Sequence, residues 1–295
     1  MSKPSFRIPI GRWVNSAVDH ITSALQGVFD VISTICRHFF DGVDWVFSTP
    51  PFWVIIVVIA GLALYARGWI FGPCVAGGLL VVYGVNQWDN AMHTLALTVV
   101  ATLIAIVIGI PVGIWAARSA TTSALVRPVL DFFQTMPAFV YLIPAIILFG
   151  IGVVPGVVAT ILFAIAPGVR LTELGIRGVD KEIVEAGHAF GAAPRRILRQ
   201  IQLPLARPAI MAGVNQIIML SLSMVVISGM VGAPGLGKPI VSSLQTIDVG
   251  LGFEAGLSVV ILAIVLDRLT STLGTGRTRR LVPRRLRAAH QGSGR

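Results

Sequence analysis

Gly232-Ala233-Pro234-Gly235-Leu236-Gly237-Lys238 has the G-x-x-x-x-G-K spacing by which backbone amides and a lysine cradle phosphates. The next residue is Pro239, where a magnesium site needs a Ser or Thr hydroxyl, and proline also removes an amide. No strand pattern precedes the run, so it reads as a loop after a helix, and any ATP chemistry falls to another chain. The five histidines, His20, His38, His93, His188 and His290, have no H-E-x-x-H or paired spacing, and Cys36 and Cys74 form no C-x-x-C, so no metal site is expected. No Ser/His, His/Glu or paired-Asp constellation sits at a usable spacing, so no catalytic residue is expected either.

A second chemistry is that of solute passage. Asp131, Phe132, Phe133, Gln134, Met136, Pro137, Phe139 and Tyr141 carry an acid, an amide, four aromatic rings and a proline into an apolar run. An ionised side chain near a bilayer faces protein or water. Asp131 is therefore expected either on a path or at the interface beside Arg127. Pro137 and Pro144 interrupt helical hydrogen bonding, and broken helices line substrate paths. The rings offer faces for a quaternary ammonium, with plain packing as the alternative. Asn215 and Gln216, in a later apolar run, join the candidate path, although such amides also bridge helices, and Ser221, Ser223 and Ser228 are read as bridges too. Asp267 and Arg268 read as a local pair. Glu173 is expected to neutralise Arg170 or Arg177, or to support the loop that follows.

That loop holds the third pattern, a polar island between long apolar segments: Glu185-Ala186-Gly187-His188-Ala189-Phe190-Gly191, then Ala192, Pro194, Ile201, Leu203 and Pro204. Glu185 and Ala186 favour a helix, Gly191 can take the positive φ of a reversal, and Pro194 suits the first turn of a second helix. Gly187 weakens the first helix by about 1 kcal/mol relative to alanine. The island reads as a docking element, with Ala186 and Ala192 small enough for close approach and Glu185 fixing the loop by hydrogen bonds.

The elements that must position these residues are transmembrane helices. Of 295 residues, 55% are hydrophobic and only 12% charged, and the mean hydropathy is +0.84, which leaves too little polar surface to cover a soluble globule. The fold class is all-α and polytopic. Runs near 52–66, 70–88, 92–116, 138–152, 154–171, 208–231 and 254–273 predict about seven spans, those at 70–88 and 138–152 being the weakest. Residues 1–50 are too mixed for a secretory signal, so the spans themselves drive insertion. With the N-terminus outside and the C-terminus inside, eighteen of the 23 Lys and Arg fall on cytoplasmic segments. Those left outside are Lys3, Arg7, Arg12, Arg37 and Lys238. The net charge of +10 therefore reflects membrane orientation rather than nucleic-acid binding.

Before the first span, Val14, Val18, Ile21, Leu25, Val28, Ile32, Ile35 and Phe39 recur every three or four residues, predicting an amphipathic helix about 30 residues long. It lies along the membrane or against the bundle. The expected organisation is an N-terminal segment 1–50, two accessory spans over 51–90, a core of 91–273 with its loop at 180–208, and a basic, disordered tail over 274–295 that anchors to anionic lipid.

The polar island resembles the cytoplasmic coupling loop of bacterial ABC importer permeases, E-A-A-x3-G-x9-I-x-L-P, departing only at Gly187. Further segments narrow the likeness: Q-T-M-P-A-F-V-Y-L-I-P from Gln134, R-L-T from Arg170, L-P-L-A-R-P-A-I-M-A-G-V-N-Q from Leu203, L-S-M-V-V-I from Leu222 and I-L-A-I-V-L-D-R-L-T from Ile261. Together they resemble permeases of the glycine betaine/proline betaine/choline branch over about residues 90 to 273. The resemblance implies a bacterial plasma-membrane permease that couples through Glu185, Ala186, Gly187, Gly191, Ala192, Pro194, Ile201, Leu203 and Pro204. It would bind no cofactor, ATP and magnesium being held by two partner ATPase subunits, and would work with a second permease subunit and an extracytoplasmic substrate-binding protein. Another small solute, of the methionine or sulfonate type, is the alternative cargo. An ion-coupled carrier is the alternative class, but no midplane charge relay or repeat symmetry is evident.

Overall fold

Pro51, Gly68, Ser119 and the Gly150 to Gly152 segment punctuate the apolar runs, and the chain turns at each. The computed structural model describes residues 10–274, and among them every regular element is helical. In order these are α1 (Ile10–Ser48), α2 (Phe52–Arg67), α3 (Phe71–Gly84), α4 (Trp88–Arg118), α5 (Ala120–Thr135), α6 (Leu142–Phe149), α7 (Val153–Arg177), α8 (Lys181–Ala189), α9 (Pro194–Ile197), α10 (Leu203–Ser228), α11 (Gly237–Thr246) and α12 (Val249–Gly274). Ser119 ends α4 and caps α5, its hydroxyl accepting from the Thr122 amide at 3.2 Å.

The central element is α7, packed between α4 and α10. Lipid tails are as apolar as leucine, so helices in a bilayer associate through close contact rather than through escape from water. Gly113 of α4 makes that contact possible on one side, since a Cβ there would lie 2.7 Å from both Thr172 Cβ and Val169 O. On the other side, a Cβ on Gly175 would lie 2.7 Å from Ala209 Cβ. Buried Ala105, Ala164 and Ile217 fill the space between the three helices. A second apolar cluster ties α2 and α3 to α12 and the start of α4 through Leu79, Val82, Met92 and Leu262.

Among the described residues four elements can cross a bilayer by length and composition: α4, α7, the stretch Pro194–Val231, and α12. Two bent pairs raise the total to as many as six, Thr22–Ser48 with Phe52–Ala66 at 96° and Ala120–Thr135 with Ala138–Phe149 at 110°. The 138–152 run is therefore not a separate straight span: α6 has 8 residues and joins α5, which the apolar runs had left between spans. The break falls at Pro137, where Met136 is extended and denied the helical region by the proline after it. Pro144 breaks nothing, because it occupies the first turn of α6, where no helical amide is needed. The 70–88 run yields α3, 14 residues and so about 21 Å, short of a 30 Å hydrocarbon core.

The N-terminal helix is longer than its pattern suggested and kinks at Leu25. Its contact face also differs. Cys36 and Phe40, with Ile32, Val43 and Phe47, pack on α4 and α7, whereas Val28, Ile35 and Phe39 of the expected stripe face outward. In an apolar solvent both faces can be apolar, so periodicity alone does not reveal which one the bundle takes. The basic tail lies outside the described residues.

Candidate functional site

Asp180 opens the polar loop as the cap of α8, its carboxylate accepting from the Glu182 amide at 2.9 Å. The helix ends with Phe190 N–H on Ala186 O and Ala192 N–H on Gly187 O, each at 3.1 Å, around Gly191 at φ +77°. Pro194 is the first residue of α9. One π turn, Leu198–Gln202, then carries the helix into α10, where Leu203 and Pro204 form the first turn. Gly187 is a point of close approach, since a Cβ there would sit 3.0 Å from Ile201 Cδ1 and 3.4 Å from Ile197 Cγ1. Ile197 and Ile201 are thus the surface on which α8 rests.

No residue of α8 is buried, and Phe190 at the tip is 93% exposed. Asp180, Glu182 and Glu185 give α8 an acidic character, and Arg195, Arg196 and Arg199 make the following turns basic; all six are exposed. Among the described residues Glu185 has no side-chain hydrogen bond or ion pair, so it does not fix the loop internally as expected. An exposed carboxylate there is free to meet a partner.

Behind the loop, one carboxylate organises the end of the bundle. Glu173 is 5% exposed, and its Oε1 accepts from Ser123 Oγ at 2.7 Å and Arg127 Nη2 at 3.0 Å, with Arg177 Nε an ion-pair partner at 3.1 Å. Arg177 also donates to Ala116 O at 2.8 Å, so the ends of α4, α5 and α7 are pinned together. Of the two arginines proposed for Glu173, Arg177 is its partner. Arg170 pairs instead with Asp131, which lines one cleft with Arg127, the latter being held by Glu173. The i,i+4 spacing of Glu173 and Arg177 is a sequence signal for this cluster. Ser123 is fifty positions distant and gives none.

The remaining path candidates divide by contact. Tyr141 is buried, its hydroxyl donating to Phe133 O, and ring centroids run from Phe133 to Tyr141 at 6.1 Å and on to Phe163 at 6.0 Å. Met136 packs on the same cluster. Phe132, Phe139, Gln134 and Pro137 are exposed. Asn215 bridges α10 to α12, donating to Asp267 Oδ1 at 3.1 Å and accepting from Thr270 Oγ1 at 2.7 Å, while Gln216 is exposed. Asp267 and Arg268 are a loose local pair at 3.9 Å. The serines do not bridge helices: Ser223 and Ser228 donate to Met219 O and Val225 O in their own helix, and Ser221 Oγ has no partner. In apolar surroundings the carbonyl one turn back is the nearest acceptor.

The glycine-rich run after α10 is no phosphate cradle. Leu236 N–H donates to Thr94 Oγ1 at 2.8 Å, and Gly235, Leu236 and Gly237 are buried. A Cβ on Gly237 would lie 2.1 Å from Val226 O, so its glycines serve close packing. His93 Nδ1 lies 2.6 Å from Asp44 Oδ1, tying α1 to α4, and no group of three or more metal-binding side chains occurs among the described residues.

Comparison with known proteins agrees with this architecture. The chain is 47% identical to the glycine betaine/carnitine transport permease protein of Listeria monocytogenes over 89% of its length and 94% of the relative's. It is 45% identical to the glycine betaine/proline betaine transport system permease protein of Escherichia coli K12 over 90% of its length and 75% of the relative's. A chain from the MetNI methionine ABC transporter in inward-facing conformations shares the fold, with a TM-score of 0.57 at 23% identity over 62% of this chain and 92% of that one. Residues 109–280 match one family throughout. The chain belongs to the binding-protein-dependent transport system inner membrane components.

Proposed function

We propose that this chain is the transmembrane permease subunit of an ATP-driven, binding-protein-dependent importer of quaternary-amine compatible solutes: glycine betaine, proline betaine, carnitine or choline. Its N-terminus lies outside and its C-terminus inside. It works with a second permease subunit, two ATPase subunits that hold ATP and magnesium, and an extracytoplasmic protein that delivers the solute. The accessory helices over 51–90 flank a core of 91–273.

The observation that carries the reading is the mechanical continuity of the polar loop with a span. From Pro194 to Val231 the helix runs 38 residues, about 57 Å, long enough to connect the loop with the opposite side of a bilayer. Its far end enters the buried reversal that Thr94 holds to α4. The nine coupling residues Glu185, Ala186, Gly187, Gly191, Ala192, Pro194, Ile201, Leu203 and Pro204 belong to a loop that carries α8, none of whose residues is buried, at the near end. Closure of the ATPase pair pushes α8, Ile197 and Ile201 take the load, and α10 biases the bundle between outward-open and inward-open states. Support for the solute class comes from the names of the relatives, which agree on betaines over nine-tenths of this chain.

The test is uptake of labelled glycine betaine by proteoliposomes holding the complete complex, wild type against Gly191→Val. A β-branched residue at φ +77° costs at least about 1–2 kcal/mol and reshapes the turn. ATP-dependent uptake that the variant loses, with the complex still inserted, supports the reading. Uptake without ATP overturns it.

A further inference from the structure

Asp131 lies eleven residues into α5, about 16 Å from its start, and Arg170 lies seven residues, about 10 Å, from the end of α7. These two helix ends are level, since Arg177 reaches Ala116 near the end of α4 and α5 begins two residues after α4 stops. The two side chains pair, yet they remain 62% and 41% exposed. Charges that open do not face lipid, so this side of the bundle faces water or protein.

The α5 helix separates the two environments. Advancing about 100° per residue, it sets Arg127, Asp131 and Gln134 on one exposed facet and Leu125, Val129 and Phe132 on another. The apolar facet suits lipid. Across a cleft of about 360 Å³ from the polar one, α7 presents Arg170, Leu174 and Arg177. Three guanidiniums meet two carboxylates there, leaving one positive charge in excess, and Arg170 Nε is buried without a partner.

We propose that this cleft is a transient site for zwitterionic solutes, entered by opening the Asp131–Arg170 pair. The inference rests on the importer reading above and assigns that importer's solute a place. The solute's carboxylate takes the Arg170 guanidinium, using the spare Nε donor, and its quaternary ammonium lies against Asp131. One ion pair is exchanged for two, so neither protein charge is left without a partner. A cation without a carboxylate satisfies Asp131 alone and leaves Arg170 unpaired, so the cleft favours betaines over choline. Because the protein pair must open first and reforms behind the solute, occupancy is brief, as conduction requires.

The experiment measures glycine betaine uptake and binding-protein-stimulated ATP hydrolysis in proteoliposomes of the full complex. The variants are Asp131→Asn, Arg170→Gln and the reversed pair Asp131→Arg with Arg170→Asp. Each single variant is expected to lower uptake per ATP hydrolysed by roughly tenfold, and the reversed pair, which a zwitterion can meet in the opposite sense, to recover most of it. Arg170→Lys keeps the charge and is expected to keep more uptake than Arg170→Gln. Single variants with wild-type coupling overturn the site. So do single variants that lose uptake and hydrolysis together with no recovery in the reversed pair, since that marks a structural pair only. A wild-type complex that hydrolyses ATP but takes up no zwitterion overturns the functional reading itself, and the site with it.

Discussion

At Glu173 a single oxygen accepts two hydrogen bonds from α5 and pairs with Arg177 of its own helix, so its loss is felt at α4, α5 and α7 together. Glu173→Ala strands a buried hydroxyl and two guanidiniums and is expected to cost about 2 kcal/mol, read as a lower melting temperature of the detergent-solubilised protein. Arg127→Ala is expected to cost well under half as much, because that arginine is 59% exposed, its pairing is screened by water, and Ser123 and Arg177 still hold the carboxylate. A flat response to Glu173→Ala would show that the cluster is incidental. Gly187 invites the opposite change. Alanine there gains up to about 1 kcal/mol of helix propensity, and the contact it makes is with the flexible end of Ile201. Slower amide hydrogen exchange over 181–189 in Gly187→Ala is the expected result, and faster exchange would mean that Ile201 cannot yield.

The π turn at Leu198–Gln202 absorbs one extra residue between the loop and α10 and so keeps α8 and α9 in phase with the span. Inserting one alanine after the exposed Leu205, within the α-helical part of α10, turns the loop by about 100° about the span. Such a variant is expected to enter the membrane normally while uncoupling ATP hydrolysis from uptake; coupled uptake would mean that the rotation is not transmitted. The loop's two signs of charge belong to this scale as well. With α8 acidic and the α9 turns basic about an exposed Phe190, the docking surface must be bipolar in the reverse sense. Reversing Arg195, Arg196 and Arg199 to glutamate is expected to weaken capture of the ATPase subunits at least roughly tenfold at low salt, and less as salt rises. Retention unchanged at every ionic strength would refute the bipolar fit.

For the whole molecule the proposed orientation makes a direct prediction. In a Cys74→Ser background, Phe190→Cys is expected to react with a membrane-impermeant maleimide in inverted vesicles and not in intact spheroplasts. Labelling from the outer side would reverse the topology. Much of the architecture was legible in the chain: apolar runs long enough to cross a bilayer, a polar island between two of them, and Gly191 and Pro194 where a reversal and a second helix begin. These depend on local physics, namely segment length, backbone φ and the missing proline amide. What the sequence left open was every choice among equally apolar or equally charged partners. Which face of α1 meets the bundle, whether Asp131 takes Arg127 or Arg170, where the 138–152 run bends, and that Ser123 completes the Glu173 cluster were decided by tertiary packing alone. In a bilayer solvent hydropathy separates span from loop but not inside from outside, and ion pairs form with whichever charge the packed helices bring within reach.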